Sequence, residues 1–374
     1  MKIFGWKAGR AEARPDLSRG YAAPATVLPR TYDAQVREGY MANAITRRAV
    51  QIVASGVSSA PLTGASPAVL TLVRARSAGQ ALLEVVASHL LLHGDAFVQF
   101  MTDETGALVE LYALRPERVS VETDASGWPV AYRYRVGDRS TRLIADRVRP
   151  EIVHIKTFHP LNDHYGLGGM SAAAKAVALH NAATAWNTGL LDNAARPSGA
   201  LVYDPGDGST LSREQFERLQ GQMDETFSGA RNAGRPMLLE GGLKWQALSL
   251  SPADMDFTGM KAAAAREIAT SFGVPPMLLG LPGDATYANY KEANRALWRE
   301  TILPLADAIL GTLSQALGGW FEDAEIRVDL DRVLALAEDR ERLWAQVTAA
   351  DFLSREEKRA MLGIVEPIAA GAGA

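Results

Sequence analysis

The stretch DMDFTGMKAAAAREIATSFGVPPMLLGLPGDATYANYKEANRALWRETILPLADAIL, residues 254–310, decides the fold. In its first part Phe257, Met260, Ala264, Ile268 and Phe272 recur every three or four positions, so one narrow helical face collects them. Gly273 suits the left-handed residue that ends a helix, and Pro275 and Pro276 cannot continue it. Residues 281–290 then carry Gly283, Asp284, Thr286, Tyr287, Asn289 and Tyr290, with Lys291 next. With few aliphatic residues to anchor it, this reads as an exposed loop committed to a contact. Helical spacing resumes from Ala293 to Leu317 through Ala296, Leu297, Ile302, Leu305, Ile309 and Leu313, and Pro304 predicts a kink.

Towards the N-terminus, residues 1–30 mix Gly, Pro and Arg without periodicity and read as a mobile arm, with order beginning near Tyr32. Ile45, Ala49, Ile52, Val53 and Val57 mark an amphipathic helix closed by Gly56 and Pro61. Gly64 to Pro67 reads as a break, and Gln80 to His93 as a second, more buried helix ending at Gly94. Strands are expected at 96–101, 108–114, 119–122, 130–136 and 152–156, forming a mainly antiparallel sheet against the two helices.

HIKTFHPLNDHYGLGGMSAAAKAV, residues 154–177, begins as a strand, passes through a polar loop and opens an alanine-rich helix from Ser171 to Ala195. Next come a short strand at 201–203 and a helix to Phe227 with a capping box from Ser212 and Gln215. A hairpin is expected at 236–250, turning at Glu240-Gly241-Gly242. After the long helix, 325–330 alternates as a strand that returns to the sheet, and 331–361 is charged and helical.

At 374 residues and 47% hydrophobic content the chain can bury more than one core, since single cores stop growing near about 250–300 residues. It has no cysteine, which removes disulfides and thiolate chemistry. MKIFGWKAGR does not read as a secretory signal, and no apolar run reaches the roughly 18 residues of a membrane span. A net charge of −4 argues against a protein that coats nucleic acid through bulk positive charge. The charge is uneven: residues 1–50 hold nine Lys and Arg against four acids, whereas 300–374 hold seven against fourteen, so the two ends face different surroundings or each other.

Catalytic patterns are weak. Tyr165-Gly-Leu-Gly-Gly-Met-Ser171 sits between strand and helix, where a phosphate cradle would lie. It lacks a Gly-Lys-Ser/Thr and the third glycine of a dinucleotide fingerprint, so a turn needing positive φ is the better reading. His89, His93 and Asp95, and separately His154, His159, Asp163 and His164, have metal-like spacing without the glutamate of zinc hydrolases, so local hydrogen bonding is the expected role. No enzyme, metal or cofactor is expected.

EIATSFGVPPMLLG, the polar loop, YKEANRALW and ILPLADAIL together resemble the portal, or head-tail connector, proteins of long-tailed bacteriophages and phage-derived gene transfer agents. The resemblance runs from about Tyr32 to Leu336. It implies an α+β portal fold: an α/β wing, a two-helix stem, a small α/β clip insertion, a long kinked wing helix and a short helical crown, assembled as a ring. By position, residues 1–30 become the arm, 31–165 the first part of the wing, 166–196 stem helix 1 and 197–252 the clip. Residues 253–273 become stem helix 2, 274–292 the tunnel loop, 293–335 the second part of the wing and 336–374 the crown and tail. The same resemblance implies that Asp284, Thr286, Tyr287, Asn289 and Lys291 face a DNA tunnel, and that Trp186, Leu190, Phe257, Met260 and Ala264 form the stem and ring interface. The implied partners are about eleven further copies of the chain, double-stranded DNA passing without sequence reading, the major capsid protein, the terminase large subunit, and a head-tail adaptor at the clip. No membrane is involved, and the implied location is the capsid vertex of a virion assembled in the bacterial cytoplasm. A nucleotide- or metal-dependent α/β enzyme and a ring-forming adaptor without DNA contact are the rival readings.

Overall fold

The computed structural model describes residues 32–192, 199–203, 243–247, 257–281 and 286–364, with parts of 212–221. The expected arm, residues 1–30, lies outside these. The chain opens with α1 (Tyr32–Val36), a π turn (Arg37–Met41) and α2 (Ala44–Ser59). Asn43 caps α2, its Oδ1 accepting from the Thr46 N–H at 3.0 Å. The helix buries Ala49, Val50, Val53, Ala54 and Val57. Gly56, expected to close it, lies inside it. A Cβ there would stand 2.4 Å from Ile302 Cδ1, so the glycine serves close approach, and Pro61 bounds the helix instead.

Past β1 (Leu62–Gly64), the residues expected as a break begin α3 (Pro67–Arg74). Ser66 Oγ accepts from the Val69 N–H at 3.4 Å and Pro67 occupies the first turn; the Ser-Pro pair starts a helix here. A minimal ribbon of β2 (Arg76–Ser77) and β3 (Gln80–Ala81) leads to α4 (Leu82–His93), which ends at Gly94 with φ +82°.

Six strands follow: β4 (Asp95–Thr102), β5 (Leu108–Leu114), β6 (Val119–Thr123), β7 (Pro129–Val136), β8 (Arg139–Ile144) and β9 (Ile152–Lys156). They make two antiparallel sheets, ordered β5-β4-β9 and β6-β7-β8, rather than the single sheet expected. The chain passes between them through a 3-10 turn at Pro116–Arg118, where proline withholds a ladder donor. Strand β8 is absent from the sequence reading because Leu143 is its one buried residue. Phe97, Leu114, Val119, Val121, Tyr132, Leu143, Ile152 and Tyr165 form one core that both sheets share.

The alanine-rich helix is α5 (Gly169–Asp192). Strands β10 (Gly199–Tyr203) and β11 (Leu243–Ala247) pair antiparallel, Leu201 opposite Trp245. Strand β11 is thus paired to the region before Ser212; the expected Glu240–Gly242 turn lies outside the described residues. The Ser212 capping box is present: the Ser212 N–H donates to Gln215 Oε1 at 2.9 Å and the Gln215 N–H to Ser212 Oγ at 3.3 Å.

Helix α6 (Phe257–Ser271) ends at Gly273, φ +65°. The Val274 N–H reaches Ala269 O at 2.9 Å and the Gly273 N–H reaches Thr270 O at 3.0 Å, the paired bonds of a Schellman end. Pro276–Leu279 turns once as 3-10. Helix α7 (Tyr287–Leu297), a π turn (Trp298–Ile302) and α8 (Leu303–Leu317) form the long helix. The π turn lies just before Pro304, where the ring would otherwise meet the preceding carbonyls.

Strand β12 (Ile326–Val328) pairs with β1, Leu62 opposite Val328, not with the larger sheets as expected. Only three residues pair, and the short β1 edge is the one that receives them. Helices α9 (Ala337–Ala349) and α10 (Arg355–Leu362) close the described chain. The chain divides into two compact units at Ala174/Lys175 and at Glu267/Ile268: the two three-stranded sheets and the long helix belong to one, and residues 175–267, with β10 and β11, to the other. Among the described residues no helix is long and apolar enough to cross a membrane.

Candidate functional site

The segment expected as a loop through Tyr290 is helical from Tyr287. Thr286 Oγ1 accepts from the Asn289 N–H at 3.2 Å and so caps α7. YANYKEANRAL contains no glycine, proline or β-branched residue, so nothing in it resists the helix once capped. Tyr287 is 85% and Tyr290 54% exposed, which places two aromatic rings on the first helical turn, facing solvent. Asp284 lies outside the described residues.

Lys291 begins a stripe of cations, with Arg295 and Arg299 following at intervals of four on the same helical face. Lys291 Nζ donates to the Glu338 carboxylate on α9. Arg295, 14% exposed, reaches Glu292 and Glu338, each at 2.9 Å, and Asp339 at 3.4 Å. The Lys291 hydrogen bond, its charge and then Arg295 hold the Glu338 carboxylate below the usual range. Sequence reading found Lys291 but missed this network. Its signals were the four-residue spacing of the cations and the adjacent Glu338 and Asp339.

Glycines 166, 168 and 169 have a different role from the positive-φ turn expected, since none of them has a positive φ. A Cβ on Gly166 would stand 2.0 Å from Gly94 O, one on Gly168 2.7 Å from Gly94 N, and one on Gly169 2.7 Å from Ser271 O. Backbone crosses backbone here, and the space a phosphate would need is filled by the chain itself.

The histidines are held in local contacts. Asp95 Oδ1 accepts from the Gly166 N–H at 2.7 Å and lies 2.8 Å from His154 Nε2, both residues deeply buried. The His154 ring stacks on Phe97 with centroids 4.2 Å apart, and His93 stacks on Tyr32. His89 meets His93 edge to face, while His159 Nδ1 accepts from the Leu161 N–H at 3.0 Å. Among the described residues no three of His, Asp and Glu gather as a metal site. Burial, with the neighbouring Tyr165 and Asp95 adding charge, pushes the Tyr132 phenol up to about 12.

Of the expected stem residues, Trp186 is 37% exposed, Met260 half-buried and Ala264 buried within its own chain. The side chains of Leu190 and Phe257 lie outside the described residues. Burial first, then the charge of Lys261, lowers the His180 pKa.

Two antiparallel sheets with a shared core, a Schellman-ended helix, a proline turn and a long π-broken helix make a mixed α+β subunit. Residues 44–363 match the family described as phage portal protein, and the chain belongs to that family. It is similar to an uncharacterized protein of Rickettsia bellii, 44% identical over 290 residues that cover 77% of this chain and 74% of that protein. It is 27% identical to the probable portal protein of Streptomyces phage phiC31 over 282 residues, 72% of this chain and 60% of that one. Among solved structures, a chain in the neck of a native gene transfer agent particle, computed with C12 symmetry, is 48% identical. That likeness covers 91% of this chain and 95% of the other, with a TM-score of 0.69.

Proposed function

We propose that twelve copies of this chain close into a ring at one vertex of a capsid, and that DNA enters and leaves the particle through the ring's centre. The observation that carries this is the 48% identity, over nearly the whole length, with a subunit of a particle neck computed with C12 symmetry. The ring's interface is head-to-tail and must close on itself. Of the expected interface residues whose side chains are described, Trp186 and Met260 have surface left for it. The clip insertion, residues 197–252, receives the terminase during packaging and the head-tail adaptor afterwards, and the wing meets the major capsid protein. The subunit is a structural part of the particle, and the energy for packaging comes from the terminase. It assembles in the bacterial cytoplasm and remains in the virion.

In this reading Asp284, Thr286, Tyr287, Asn289 and Lys291 line the channel. One Lys291 per copy, repeated around the ring, gives a belt of cations that touches phosphates without reading bases. Because Glu338 shares each lysine, the belt grips weakly and DNA can slide. Tyr287→Ala with Lys291→Ala is expected to leave rings intact while particles lose at least tenfold in packaged DNA, measured by nuclease-protected DNA per particle. Glu338→Gln removes the counter-charge but keeps the cation, so its particles should hold DNA more tightly and fill more slowly than wild type. Full DNA content in the double variant removes the segment from the channel.

A further inference from the structure

We propose that the solvent face of the β6-β7-β8 sheet is a second contact surface for the phosphate backbone of duplex DNA, separate from the α7 segment. The inference rests on the portal reading, which brings DNA to the particle. Strand alternation puts Val121, Tyr132 and Leu143 into the core and leaves Glu122, Arg133, Arg135 and Arg142 on the other face. Register places Arg133 directly opposite Arg142, with Arg135 two residues further along β7, about 7 Å away. Three guanidiniums thus share one face with a single carboxylate, in a chain whose net charge is −4.

That carboxylate organises the face. Glu122 accepts from Arg142 Nε at 2.7 Å and from Arg133 Nε at 2.8 Å, holding both guanidiniums upright. The Arg142 hydrogen bond foremost, with that of Arg133, keeps Glu122 below the usual carboxylate range, so the arrangement stays charged. Each guanidinium has five N–H donors and spends only part of them on Glu122, so donors remain for a second anion. About 7 Å of duplex presents roughly four phosphate charges over both strands, roughly two on each, and three cations with one carboxylate leave two positive charges to meet one strand. Ser140, exposed opposite Arg135, adds a hydroxyl donor. With Ile144 as its one large exposed aliphatic residue, the face recognises a partner by charge, and the portal reading makes that partner the backbone of duplex DNA.

The test is binding of the full chain to fluorescein-labelled duplexes of random sequence, followed by anisotropy from about 50 to 200 mM salt. Arg133→Gln with Arg135→Gln and Arg142→Gln should weaken binding at least tenfold and flatten the slope of log K against log salt by about three, at 0.9 per phosphate contact. The triple Arg→Lys variant should keep the slope, and Glu122→Gln should tighten binding several-fold. Unchanged affinity and slope in the glutamine variant overturn the proposal. So does a variant that loses ring formation but keeps the slope, which makes the face a protein contact. Electron microscopy of each preparation reads the portal proposal separately: wild-type protein without rings in intact particles sinks that reading, whatever the DNA titration gives.

Discussion

Replacing Gly94 with alanine is expected to destabilise the sheet-bearing unit by about 2–5 kcal/mol. Two costs add. Gly94 has φ +82°, and an L-residue there costs about 1–2 kcal/mol. The added Cβ would also stand 2.4 Å from Leu167 N and 2.5 Å from Gly168 N, backbone atoms that cannot swing aside, for a further 1–3 kcal/mol or so. Gly106→Ala supplies the control: its φ is +80° but nothing lies within 4 Å, so it should lose about 1–2 kcal/mol alone. Urea unfolding followed by circular dichroism separates the two. Equal losses at both sites would mean that the crossing of 94 with 166–168 is looser than the geometry has it.

The second large effect belongs to Asp95. Its Oδ1 serves both Gly166 N–H and His154 Nε2 from a position 2% exposed, and so ties β4, β9 and the glycine crossing together. Asp95→Ala removes that shared acceptor from buried groups at about 1–3 kcal/mol each, for a loss near 3–5 kcal/mol. Asp95→Asn retains a carbonyl oxygen in the same place and should lose less than half as much. If alanine and asparagine cost the same, the hydrogen bonds contribute little and the site is held by packing, chiefly the stack of His154 on Phe97.

The same two residues show what sequence can and cannot reveal. His154 and Asp95 are 59 positions apart, and no local pattern announces that one accepts from the other. The Gly-rich passage was visible as glycine, but its cause is a partner segment 70 residues away, so spacing alone suggested a turn. The long helices, the strands β5 and β9 and the Gly273 end were legible because their signals are local: apolar period, cap and proline. Strand β8 was not, since five of its six residues face water and carry no alternation. At residues 287–291 the helical conformation was not legible. Thr286 was counted as a loop polar residue rather than as the cap that starts α7, and Glu338 was too distant in sequence to be seen as the partner of Lys291.

The central claim is that this chain is a ring subunit. Electron microscopy of particles containing it, with the neck classified by rotational symmetry without symmetry imposed, tests that most directly. The expected result is a closed ring of twelve copies around an open channel, with residues 175–267 of every copy in equivalent contact with a neighbour. A neck in which this chain is monomeric, or absent from intact particles, would contradict it.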